Sequence, residues 1–103
     1  MVTKMKGGDR QSFELTVLTI LEYLVRHEGF GPVSKYHIMN HVPDLPSQRQ
    51  DRVSTILDLL VRRGWVSTES KDDGVMGYRI SEPGKTEYRK WVSQFLSFAR
   101  KLR

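Results

Sequence analysis

Between Ser47 and Arg52 the chain reads Ser-Gln-Arg-Gln-Asp-Arg. Two guanidinium forks and two primary amides therefore lie within one short stretch. Paired donors and acceptors of this kind match the edges of purines: an Arg fork fits guanine, and a Gln amide fits adenine. Asp51 can accept from the cytosine amino group or orient a neighbouring arginine. Such groups work together only if one rigid element holds them, and the next residues supply it. Val53, Ile56, Leu57 and Leu60 recur at spacings of three and four, the period of a helix with one apolar face. Ser47 is a natural N-cap, Arg62 and Arg63 suit the C-terminal end of the helix dipole, and Gly64 is the expected stop. The pattern predicts a helix over 47–63. With its stripe turned inward, Ser47, Gln48, Asp51, Thr55, Asp58 and Arg62 point outward and Arg52 lies on the flank. Arg49 and Gln50 reach out from the open end. Asp58 repels phosphate, which places nucleic-acid contact on the N-terminal half. A solvated face of mixed charge is the alternative.

The surrounding elements follow from caps and breakers. Residues 1–11, Met-Val-Thr-Lys-Met-Lys-Gly-Gly-Asp-Arg-Gln, have no hydrophobic period and read as a flexible basic arm. Ser12 caps a first helix whose core face is Phe13, Val17, Ile20, Leu21 and Leu24, ending near His27. Leu15, Leu18 and Val25 lie off that face, so this helix is expected to be covered on a second side, by a partner subunit or by the last helix. The Gly-Phe-Gly-Pro run at 29–32 breaks it. Val33 suits a very short strand, and Ser34 caps a short helix over 35–41, with Tyr36, Ile38, Met39 and Val42 as apolar candidates. Pro43 and Pro46 keep that helix from running into the next. After Gly64, residues 65–70 and 75–80 read as two strands joined by Lys71-Asp72-Asp73-Gly74, and Asp-Gly is a strong hairpin signal. Ser81 caps a long last helix, with Pro83 tolerated in its first turn.

In this order the elements resemble the winged helix-turn-helix family, and most nearly its small archaeal and MarR- or PadR-like transcription regulators. Three patterns carry the resemblance. Leu59-Leu60-Val61-Arg62-Arg63-Gly64-Trp65-Val66 is similar to the end of the recognition helix and entry to the wing. Tyr78-Arg79-Ile80-Ser81-Glu82-Pro83-Gly84 is similar to the family's Tyr-x-Leu-Thr-x-x-Gly exit from the wing. The helix that follows resembles a dimerisation helix. The resemblance implies a mainly α fold with a small β-hairpin wing, a winged helix-turn-helix domain over 12–81 and a C-terminal dimerisation helix over 82–103. It implies a homodimeric DNA-binding transcription regulator reading the major groove with helix 47–63. Phosphate contacts then fall to Lys35 and Tyr36 at the start of the second helix and to Lys71 and Arg79 on the wing. One departure is the wing's Asp72 and Asp73, where many wings are basic.

Composition agrees with a binding role. The chain has 103 residues, enough for one modest core, and 17 Lys and Arg against 12 Asp and Glu, a net charge of +5. That balance favours a polyanionic partner. With no cysteine there is neither disulfide nor thiolate metal site. The longest apolar run, near Leu15–Val25, is broken by Thr16, Thr19 and Glu22 and is too short to span a bilayer. No signal-peptide core is visible, and the expected location is cytoplasmic, on the nucleoid. His37 and His41 have helical metal spacing but no evident third ligand, and no nucleophile motif or phosphate loop occurs. No enzyme activity, cofactor or metal is expected. The last helix carries Tyr88, Trp91, Val92, Phe95, Phe98 and Leu102, more apolar surface than one small domain covers, and these residues form the candidate dimer interface. A low-specificity architectural chromatin protein and a winged-helix protein-interaction module are the competing readings.

Overall fold

A computed structural model describes residues 12–42, 45, 48–71 and 73–102. The basic arm, Ser47 and Asp72 lie outside the described residues. Helix α1 is Phe13–Arg26, followed by a short 3-10 turn at Glu28–Phe30. Strand β1 is Val33–Ser34 and helix α2 is Lys35–His41. Helix α3 is Gln50–Arg62. Strands β2, Val66–Ser70, and β3, Met76–Ile80, form the hairpin, and α4 is Glu82–Lys101. The sheet is antiparallel in the order β1-β3-β2, with Val33 opposite Tyr78 and Val66 opposite Ile80. This is the winged helix-turn-helix arrangement with a long C-terminal helix.

The expected caps close three helices. Ser12, Ser34 and Ser81 each accept the N–H three residues on, from Leu15, His37 and Gly84, at 3.0–3.1 Å. The chain leaves α3 through a paired turn in which Trp65 N–H donates to Leu60 carbonyl and Gly64 N–H to Val61 carbonyl, both at 3.0 Å. That closure needs the left-handed φ of 79° at Gly64. In the hairpin, Gly74 N–H donates to Lys71 carbonyl and Lys71 N–H to Val75 carbonyl, at 2.9 Å each. Asp73 accepts the Val75 N–H at 2.9 Å, so one of the two wing-tip carboxylates shapes the turn.

Ile20, Leu21, Leu24, Ile38, Leu45, Val53, Leu57 and Leu60 build the centre of the core, joined by Val66 and Ile80 from the hairpin. Each fully buried side chain of this size contributes about 1.5–3 kcal/mol relative to exposure. Two expectations are corrected. Phe13 is exposed, because it opens α1 ahead of the packed turns, and the buried position there is Thr16. Tyr36 is 78 % exposed, since it starts α2 on the side away from Ile38.

α4 packs against α1, at the end that carries Phe13 and Val17, while Leu15, off the core face, stays exposed. Tyr88 packs against the core, and Trp91 and Val92 are half-buried. Where α4 closes on α1 and the end of α3, a small cavity of about 150 Å³ remains between Val17, Leu60, Trp65 and Trp91. Lys85 ties the seat down from the other side, 2.6 Å from the Glu28 carboxylate and 2.7 Å from that of Glu82.

Candidate nucleic-acid interface

Helix α3 begins at Gln50, not at Ser47. Its N-cap is Arg49, whose side chain makes no capping bond. Two backbone bonds explain the later start. Leu45 N–H donates to Val42 carbonyl and Gln48 N–H to Leu45 carbonyl, at 3.1 and 2.9 Å, so residue 48 still belongs to a turn pinned by the buried Leu45.

Gln48 therefore does not face outward. It is 8 % exposed. Its amide nitrogen lies 3.5 Å from the Thr16 hydroxyl of α1, and its amide oxygen accepts from Arg52 Nη1 at 2.6 Å. Gln48 is an internal tie between α1 and α3, and Arg52 is half-buried as its partner. A buried amide needs such partners because an unmet one costs about 1–3 kcal/mol.

What remains on the open face is a coherent set. Asp51, Thr55, Asp58 and Arg62 form one exposed stripe along α3, and Arg49 and Gln50 are exposed at its open end. Arg49 Nη2 lies 2.9 Å from Asp51 Oδ2, with the two side chains 81 % and 69 % exposed. A pair this exposed is worth about 0–1 kcal/mol, so the guanidinium is aligned yet free to exchange its carboxylate for a base or a phosphate. The Thr55 hydroxyl donates to the Asp51 carbonyl at 2.9 Å and keeps its lone pairs for another donor.

Beside this face, Lys35 Nζ donates to the Ser54 hydroxyl of α3 at 2.9 Å, which holds the start of α2, and the exposed Tyr36 with it, against α3. The wing candidates are differently placed. Arg79 Nε is 2.6 Å from Glu69, and its Nη1 donates to the Glu28 carbonyl at 3.2 Å. Lys71 Nζ donates to the Pro32 carbonyl at 3.3 Å. Both cations are turned to the protein's own acceptors. Among the described residues no group of three or more His, Cys, Asp and Glu is placed to hold a metal ion, and no helix is long and apolar enough to cross a membrane.

No family model and no curated protein matches this chain. Among solved structures, it is similar to the putative transcriptional regulator TA0346 from Thermoplasma acidophilum, with 27% sequence identity over 87% of each chain and a TM-score of 0.66.

Proposed function

We propose that this chain is a transcription regulator that acts by binding, not catalysis: a homodimer, joined through α4, that reads the major groove of DNA with α3. The observation that carries the reading is the exposed stripe of Asp51, Thr55, Asp58 and Arg62, with Arg49 and Gln50 at its open end away from Asp58, back to back with the buried Val53, Ile56, Leu57 and Leu60. The net charge of +5 supports it, as does the likeness to a protein named as a transcriptional regulator. Such a protein works on the nucleoid, in the cytoplasm. Because Arg79, Lys71 and Lys35 serve internal acceptors, affinity rests on α3, the exposed Tyr36 at the start of α2 and the doubling of contacts in a dimer.

A salt titration with random and enriched duplexes tests this. Neutralised phosphates release counterions, so log affinity should fall linearly with log salt, by about 0.9 per phosphate engaged. Micromolar protein that shifts no duplex at low salt would instead favour a protein-interaction module.

Two substitutions sharpen the assignment. Arg49→Ala should cost roughly 1–3 kcal/mol on the preferred site and less on random DNA. Equal losses in a competition assay would reduce Arg49 to a phosphate contact. Gln48→Ala should lower thermal stability instead, leaving the ratio of specific to random binding unchanged, because its amide bridges Thr16 and Arg52.

A further inference from the structure

All three histidines of the chain meet in one column between α1 and α2. Tyr23 of α1 and His27, the residue that caps its C-terminus, stack one turn apart, with ring centroids 4.1 Å apart. His37 and His41 stack one turn apart on α2, also at 4.1 Å and tilted by 14°. The Tyr23 hydroxyl and His37 Nε2 join the two pairs at 2.6 Å. The His27 and His37 rings are 6.1 Å apart, and Phe30 closes the end beside His27 at 5.8 Å.

The hydrogen bonds fix where protons stand. His27 Nδ1 is 3.0 Å from the Tyr23 carbonyl and His41 Nδ1 is 3.0 Å from the His37 carbonyl. A carbonyl only accepts, so both Nδ1 atoms carry hydrogen, and Nε2 is where each ring takes up a proton. The groups facing His37 are Tyr23 and His27 from α1, His41 from α2 and Lys71 from the hairpin. No carboxylate stands among these groups. Glu28, next to His27 in sequence, is bound to Lys85. Among the described residues, no carboxylate of this set offsets a second positive charge in the column.

We propose that the column is a proton-operated clasp: neutral, it docks α2 on α1, and protonation below neutral pH loosens that docking. Since Lys35 of α2 holds Ser54 of α3, loosening α2 also frees the helix with the exposed polar stripe. The clasp stands on the α1–α2 contact alone, so it holds whether or not α3 reads DNA.

The sign follows from His37. Burial first, then His41, His27 and Lys71, hold its pKa below the ordinary imidazole value of 6.5. A group with a depressed folded pKa binds its proton more readily when unfolded. The stabilisation is complete above the unfolded value and is lost as pH falls from there through the folded one.

Thermal unfolding of the full chain and of His37→Gln and His41→Gln between about pH 7.5 and about pH 5.5, above most carboxylate titration, tests this. The wild-type Tm should fall by several degrees across the window, and each variant should fall by less. Imidazole proton resonances of the wild type should place the His37 midpoint below that of the denatured chain. Equal losses in all three proteins, or a His37 midpoint at or above the denatured one, overturn the clasp. Should His37→Gln fail to fold, the His41→Gln comparison and the wild-type titration still decide.

Discussion

Replacing Gly84 with alanine is expected to destabilise the fold by roughly 1–3 kcal/mol, the cost of forcing an extra carbon into a packed site. In an open helix the same change gains about 1 kcal/mol, because alanine is the better helix former. Geometry reverses the sign here. A Cβ at position 84 would lie 2.0 Å from the Trp65 carbonyl oxygen and 2.9 Å from Ile80 Cδ1. The oxygen is backbone and cannot swing aside. It accepts the Ser81 N–H at 3.1 Å, while the Trp65 N–H closes the end of α3 on Leu60. Relief requires lifting the first turn of α4 away from the exit of α3. Urea or thermal unfolding of the variant reads the effect, and an alanine variant as stable as the wild type would mean that α4 is not seated in this close approach. The glycine that ends the Tyr-x-Leu-Thr-x-x-Gly-like stretch thus has a physical reason: it is where a helix passes over a carbonyl with no room for a side chain.

Local chemistry was legible in the sequence, and long-range partnership was not. Ser12, Ser34 and Ser81 cap the helices they were expected to cap, and Gly64 and Asp73-Gly74 turn the chain where they should, because these signals act over a few residues. The start of α3 lies later than its apolar period implies. Extending the Val53, Ile56, Leu57, Leu60 period back to Ser47 turned Gln48 outward, whereas the turn around Leu45 delays the helix and drops Gln48 onto Thr16. Nothing in a single period announces a polar pair that satisfies itself inside. Arg79 and Lys71 were candidate phosphate contacts by type and by the resemblance, but their acceptors, the Glu28 and Pro32 carbonyls, lie 51 and 39 residues away. The histidine column has the same character. The Tyr23–His27 and His37–His41 spacings are visible in the sequence, yet only the approach of α1 to α2 joins them.

The apolar stripe of α4 divides in the fold, and the division sets the other large expectation, that Phe95→Asp converts a dimer into a monomer. Tyr88, Trp91 and Val92 are partly covered by their own domain. Beyond them Phe95, Leu96, Phe98 and Leu102 are exposed, Phe95 at 64 % and Leu102 at 72 %. Leu96 joins the set because it shares the uncovered end of the helix. In the proposed two-fold dimer each residue is buried twice, once per copy, and a phenylalanine taken fully out of water contributes about 1.5–3 kcal/mol. Aspartate at 95 forfeits that gain and places two carboxylates in an apolar contact, where an unpaired charge is far costlier than an unpaired polar group. Sedimentation at tens of micromolar should show the wild type as a dimer and the variant as a monomer. The variant's affinity should fall most on a pseudo-palindromic site whose half-sites lie about one DNA turn, roughly 34 Å, apart, and least on an isolated half-site. Far-UV dichroism should keep the wild-type helix content, because Phe95 lies outside the domain's core. That separates this variant from one at Tyr88, where lost packing against the core lowers the domain's own stability. A wild-type chain that sediments as a monomer under these conditions would sink the dimer, and one recognition helix with an internally engaged wing would then have to carry all of the binding.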